Sequence, residues 1–365
     1  MNTLNSKTLL ALIVSTTLLS GCGDSSDDSV DASTPDDTVA TFNVVTLDAA
    51  TNTSEAALLD LLSGSTVTDE TWQVAYQKSV GFKLNGGSSG DGEVSACIAH
   101  QYTDLFDANG DAVESSFEAL TASSTLTDFN RVDSTYCTDF EFDEIETEID
   151  TDDWLDYNAT THTISAKEGN GWIVRSADGD SYARVKVDSL SSTTAVFSNQ
   201  LWNGSVFESA VNSPGLDLSS GSVYWDLETN SIVTESDDWD LRIVVDGFDY
   251  SIQVNGGVSG NGDAGVAYIF VNDVDDVTDP TSKSEVYDYF VDSASGTLSS
   301  PGNYGPLQYN VGGAHKMWPT FTTYLIKDEA ITGSSLFKVQ VISNYGEQGD
   351  LASANVVFRY EELTD

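Results

Sequence analysis

Few side chains in this sequence can do covalent or coordination chemistry. Among 365 residues there are three cysteines (Cys22, Cys97, Cys137), three histidines (His100, His162, His315) and two methionines (Met1, Met317). Thiols can carry a lipid, pair as a disulfide or hold a metal, and imidazoles can bind a metal or move a proton. None of these residues falls in a catalytic pattern, for Gly-x-Ser-x-Gly, His-Glu-x-x-His, P-loop and Rossmann fingerprints are all missing from the sequence. The chain therefore reads as non-enzymatic. Asp107-Ala108-Asn109-Gly110-Asp111, with Glu118 in the twelfth place, partly follows an EF-hand calcium loop. Ala112 stands where that loop needs glycine, so Asn109-Gly110 reads as a tight turn. The acidic run over residues 141–153 reads as a solvated edge.

The role of Cys22 follows from what precedes it. Residues 1–7 carry one positive charge, and residues 8–19 form an apolar run too short to cross a bilayer as a helix. The run ends in Leu19-Ser20-Gly21-Cys22, which resembles the lipobox of bacterial lipoproteins. That resemblance implies cleavage after Gly21 and a diacylglyceryl group on Cys22, whose acyl chains anchor the protein to a membrane. Gly23 stands where an aspartate favours inner-membrane retention in enteric-type bacteria, and by that analogy the address is the outer membrane. Residues 24–37, rich in Ser, Asp and Thr, read as a disordered tether. The expected leader is thus 1–21, followed by lipidated cysteine and linker over 22–40. Export places Cys97 and Cys137 in an oxidising compartment, where one disulfide between them is expected to staple a long loop.

Fourteen Lys and Arg face 59 Asp and Glu, a formal net charge of −45. Nucleic acid is excluded as a partner, because binding it rests on neutralising phosphates. Such acidity suits a solvated surface in a salty or cation-rich setting.

The elements that must position these residues show a long internal repeat. Asn85-Gly86-Gly87-Ser88-Ser89-Gly90-Asp91-Gly92 recurs as Asn255-Gly256-Gly257-Val258-Ser259-Gly260-Asn261-Gly262. Upstream, residues 67–74 recur with one insertion as 233–241, bringing Trp72 and Trp239 into correspondence as core anchors. Downstream, 171–175 and 183–187 answer to 323–327 and 337–341, and closing segments follow at 194–197 and 355–360. The segments between glycines alternate apolar and polar residues and are rich in Val, Ile, Tyr, Phe and Thr, the pattern of half-buried antiparallel strands. Only residues 54–62 look helical. The chain is expected to be all-β in two tandem domains, 41–199 and 200–365.

These repeated pieces resemble the HmuY family of haem-binding lipoproteins. The matching parts are Trp239-Asp240-Leu241 and Trp72-Gln73-Val74, the Asn-Gly-Gly-x-Ser-Gly-x-Gly loop, Trp154-Leu155-Asp156-Tyr157, and Trp172-Ile173-Val174-Arg175-Ser176-Ala177-Asp178-Gly179. The resemblance implies two antiparallel β-sandwich domains that hold haem between axial histidine or methionine side chains and pass it to an outer-membrane haem receptor. The ligand candidates it designates are His315, Met317 and His162, with haem iron held through His315. Trp318, Tyr309 and Tyr324 are the candidate pocket walls. The alternative is a structural, adhesive or glycan-binding β-domain lipoprotein that has lost the haem pocket. In its glycan-binding form, Trp154, Trp172, Trp202 and Trp318 would line an open face.

Overall fold

The computed structural model describes residues 42–331 and 334–363. The leader, the tether and Cys22 lie outside them.

Along the chain, the first group of strands is β1 (Asn43–Asp48), β2 (Ala57–Asp60), β3 (Ser65–Val67), β4 (Val74–Gln77), β5 (Gly81–Leu84) and β6 (Val94–His100). Two short helices, α1 (Glu114–Ala119) and α2 (Leu126–Arg131), precede β7 (Glu144–Glu146). Next come α3 (Thr151–Trp154), the hairpin β8 (Leu155–Asn158) and β9 (Thr163–Ala166), and the group β10 (Trp172–Arg175), β11 (Tyr182–Leu190) and β12 (Thr194–Leu201). The second copy runs through β13 (Val211–Asn212), β14 (Leu216–Asp217), β15 (Ser222–Asp226), β16 (Ser231–Val233), β17 (Leu241–Asp246), β18 (Asp249–Val254), β19 (Gly265–Ile269) and β20 (Val286–Phe290). Last are β21 (Ser293–Ser295), the hairpin β22 (Leu307–Tyr309) and β23 (Met317–Pro319), then β24 (Thr323–Asp328), β25 (Ser335–Ser343) and β26 (Asn355–Leu363).

The protein is all-β, as its alternation of residue types requires. In β11 and β12 buried and half-exposed positions alternate, so each strand gives one face to a core. A five-stranded sheet, β1-β26-β25-β24-β6, and a four-stranded sheet, β3-β2-β4-β5, enclose a core that includes Leu59, Val74, Phe82, Phe337 and Phe358. A second pair, β13-β12-β11-β10-β19-β20 (with β14 also on β12) and β16-β15-β17-β18, encloses Val185, Phe197, Trp225, Ile243 and Ile252. Trp72 and Trp239 are buried in corresponding places beside the two Asn-Gly-Gly loops, outside the two core clusters that they are expected to anchor.

The sandwiches do not divide the chain at 199/200. The group β10 to β12 belongs by sequence to the first copy, yet β10 pairs with β19 of the second, Val174 opposite Val266. The group β24 to β26 belongs to the second copy, yet β24 pairs with β6 of the first, Ile326 opposite Ala96. The closing strands cross over in the same way, β12 onto β14 and β26 onto β1. Two sequence copies in tandem thus build two sandwiches by reciprocal exchange, one from residues 42–143 and 296–363, the other from 149–292. The tandem boundaries expected from the repeat are corrected accordingly. The physical reason is that a strand recognises register and an apolar face, not its chain neighbours, so the equivalent strands of either copy fit. Even the irregularities match, for β11 and β25 each slip register against their neighbours, between Val187 and Ser189 and between Val341 and Ser343.

The chain passes between sandwiches through β7 and β21, which pair with each other. Each crossing is pinned by a buried aspartate: Asp143 accepts from the Leu84 amide at 2.9 Å, and Asp292 from the Val254 amide at 2.9 Å and the Glu148 amide at 3.0 Å. The repeated loop shows why its second glycine recurs. Gly87 and Gly257 have φ of 64° and 65°, and a Cβ on either would lie 2.0 Å from the carbonyl of Asp143 or Asp292. The loop asparagines are buried, with Asn85 Nδ2 donating to the Trp72 carbonyl at 3.0 Å and Asn255 Nδ2 to that of Trp239 at 2.7 Å.

Residues 54–62, expected to be helical, instead contain β2, whose Leu58 and Leu59 stand opposite Ala75 and Val74 of β4. Pairing and burial of Leu59 override the helical preference of an Ala- and Leu-rich stretch. Cys97 and Cys137 form the expected disulfide, Cα atoms 6.3 Å apart, tying the loop after α2 to β6.

Candidate functional site

The two histidines at equivalent loop positions are presented by small hairpins of one design. In β8–β9, Asn158 Oδ1 accepts from the Thr160 and Thr161 amides, and His162 adopts φ of 53°. In β22–β23, Asn310 Oδ1 accepts from the His315 amide, and His315 adopts φ of 50°. A tyrosine on the first strand meets each ring, Tyr157 Oη lying 2.7 Å from His162 Nδ1 and Tyr309 Oη 3.2 Å from His315 Nδ1. Both histidines and both tyrosines are exposed.

The other candidates do not converge on them. Met317 packs half-buried against the first core, while His315 stands in solvent. Trp318 packs against Leu105, Phe117 and Val311 on the outside of that sandwich. Tyr324 is buried in the core, its hydroxyl donating to the Ser300 carbonyl, and burial pushes its ionisation far above the usual phenol range. His100 ends β6 and meets Tyr102 edge to face, ring centroids 4.9 Å apart.

Cavities open elsewhere, each with carboxylates on its walls. One of about 490 Å³ beside the second copy's Asn-Gly-Gly loop is lined by Asp178, Glu235, Asp237, Asp238 and Trp239. Its counterpart of about 620 Å³ in the first copy is lined by Glu70, Trp72, Lys83 and Asp91. Another, about 600 Å³, lies against the disulfide with Tyr136, Glu141 and Thr297 on its walls. Haem needs an apolar slot with a ligand at its mouth and cations for its propionates. The residues implied by the family resemblance do not fit that group, since His315 and His162 face water, Met317 and Tyr324 face a core, and these cavities are acidic.

Sequence reasoning passed over the buried carboxylates. Asp240 accepts from the Ala177 amide at 2.6 Å and the Leu227 amide at 2.7 Å, joining the exchanged β10 end to the four-stranded sheet. Burial pushes its carboxyl up to about 7, with Glu228 adding to the effect. In the first sandwich Gln73 takes this place, its Oε1 accepting from the Leu61 amide and its Nε2 donating to Asp328. The exchange of Asp for Gln between Trp239-Asp240-Leu241 and Trp72-Gln73-Val74 was the visible signal. Asp143 and Asp292 left none, because they stand at different distances from their loops. Asp226, Glu228 and Asp240 bring carboxylate oxygens within 4.8 Å of one another.

Burial raises the carboxyls of Asp143, Asp292, Glu148 and Asp240 above their ordinary values. A carboxyl whose folded pKa is raised binds its proton more tightly in the native state, so stability falls as pH rises between the ordinary value and the raised one. Melting temperature at constant ionic strength should therefore decline from about pH 4 towards about pH 7. The slope should shrink in Asp240→Asn; a melting temperature that climbs through this window would contradict the account.

No family model matches this chain. No curated protein is significantly similar to it. Among solved structures, a Bacteroides fragilis protein described as a lipoprotein aligns with 38% of this chain and 80% of its own at 15% identity, with a TM-score of 0.14. A likeness of that extent carries no argument about this chain. Among the described residues, no helix is long and apolar enough to cross a membrane.

Proposed function

We propose that this chain is an exported, lipid-anchored, non-catalytic binding scaffold that does not carry haem on the histidines of its two copies. The observation behind this reading is the state of His162 and His315, each exposed on a two-stranded hairpin with its Nδ1 facing a tyrosine hydroxyl. A haem iron held there would have water on both faces and no apolar slot around the macrocycle. Anchoring rests on the Leu19-Ser20-Gly21-Cys22 motif, and the non-catalytic reading on the missing catalytic motifs. The resemblance of the repeats to the HmuY family supports a shared β frame without its ligand chemistry, since fold and site are separable.

Haemin titrated into the mature protein should give only the additive spectrum of free haemin. A sharp, saturable Soret shift that disappears in His315→Ala would overturn the proposal. In cells, an incorporated fatty-acid label should be present on the wild-type protein and absent from Cys22→Ala; a label retained in that variant would place the anchor elsewhere.

A further inference from the structure

The second sandwich carries an open aromatic face. On the β19–β20 hairpin, Tyr268, Phe270, Tyr287 and Phe290 each leave between 43% and 59% of their surface exposed. They form one cluster: Tyr268 meets Phe270, Tyr287 and Phe290 edge to face at centroid distances of 6.0, 6.2 and 6.5 Å, and Tyr287 and Phe290 lie nearly parallel at 6.4 Å. Soluble proteins seldom leave so many contiguous rings in water without a use for them. The pairing of Ile326 with Ala96 and of Val174 with Val266 makes Ile98 the counterpart of Tyr268. Ile98 packs against the core of its own sandwich, so the fold itself does not require this position to be bare.

What the face can take is narrowed by its surroundings. β20 ends its sheet, but its main chain is capped: Lys283 Nζ donates to the Tyr287 carbonyl at 2.8 Å, and the Tyr289 amide donates to Asp288 at 3.0 Å. A strand added by a second copy or a peptide would have to break those bonds. Lys283 and Asp288 also pair with each other at 3.6 Å, and the Glu285 carboxylate beside Phe270 accepts from the Thr278 and Asp279 amides. The chain's formal charge of −45 repels polyanions. There remain ring faces next to the Tyr268 and Tyr287 hydroxyls, neither of which is bonded to a protein group among the described residues. An uncharged sugar ring offers the matching combination, an apolar C–H face bordered by hydroxyls.

We infer that the face of Tyr268, Phe270, Tyr287 and Phe290 binds a neutral polysaccharide. This rests on the reading of the chain as an anchored binding scaffold, yet the two can fail separately, since neither haemin nor fatty-acid labelling probes these rings. The mature protein is run in native gels cast with soluble β-glucan, dextran or galactomannan. Retardation is expected in at least one of them, weakened about tenfold or more in Tyr268→Ala/Tyr287→Ala, a change of about 1.4 kcal/mol in binding. Retardation should persist in Tyr268→Trp/Tyr287→Trp, which keeps the rings. Because both positions are exposed, the alanine variant should unfold at the wild-type midpoint, separating lost binding from lost fold. Free migration in all three gels, equal retardation of the alanine variant, or saturable binding of a lysine-rich peptide in place of glycan would each overturn the inference.

Discussion

A single cut in the exposed turn over residues 203–206, between the two sequence copies, is expected to leave one particle of unchanged size. A protease site placed there in the full chain should yield two bands on a denaturing gel and one peak on a native sizing column. The reason is the reciprocal exchange. The upstream fragment keeps β6 but needs β24 to β26 from the downstream one, and the downstream fragment keeps β19 but needs β10 to β12 from the upstream one. Both cores would be shared, since Phe82 packs in one cluster with Phe337 and Phe358, and Val185 in another with Ile243 and Ile252. Separating the pieces would expose both interiors to water, which no native condition favours. If each copy folded on itself, the same cut would release two half-size monomers, and that result would refute the exchange.

The second large effect is expected at Phe129. This ring, fully buried in α2, lies under two cations, Lys338 Nζ at 4.6 Å and the Arg359 guanidinium at 4.7 Å from its centroid. Arg359 donates to the Ala122 carbonyl and to Thr125 Oγ1, and burial lowers its pKa to about 10, leaving it charged at neutral pH. Lys338 donates to the Val132 carbonyl at 3.1 Å and pairs with Glu361 at 2.9 Å. A chain with only 14 Lys and Arg thus commits two of them to holding the α1–α2 region on the outer face of β25 and β26. Phe129→Ala removes a buried ring and leaves both cations beside a cavity, a loss of about 3–5 kcal/mol from truncation alone. Urea unfolding should show it, with faster amide exchange concentrated over 103–132. A midpoint unchanged from wild type would mean that this layer contributes nothing to the fold.

How far the protein could be read from its residues differs by element. The strands were legible wherever an apolar face alternates with a polar one, as at 82–84, 182–187 and 250–254, because that alternation is the direct imprint of one-sided burial. The Asn-Gly-Gly loops were legible as a repeat, and the structure supplies their cause in the close approach of Gly87 and Gly257 to Asp143 and Asp292. The helices α1 and α2 were not foreseen, being only six residues each and held in place by Phe117 and Phe129 rather than by their own propensity. The structure sets His162 and His315 at equivalent hairpin positions, each with a tyrosine five or six residues before it. Their solvent exposure was not legible, because a hairpin loop reads alike whether it closes over a pocket or projects into water. The tryptophan face imagined for a glycan is also absent, for Trp154 is buried and Trp172, Trp202 and Trp318 are half-buried. The exposed rings belong instead to a hairpin whose alternation gave no hint that its aromatic side stays uncovered.

Composition and local pattern by themselves determined the all-β class, the acidic surface, the paired cysteines and the existence of two copies, since each is carried by residue types and by spacings along one stretch of chain. Which copy's strands complete which sandwich, where the histidines face and which aromatic side is left bare were decided only in three dimensions. Strand partners are chosen by complementary edges and faces that two similar copies offer equally, and burial depends on what the rest of the chain lays on top.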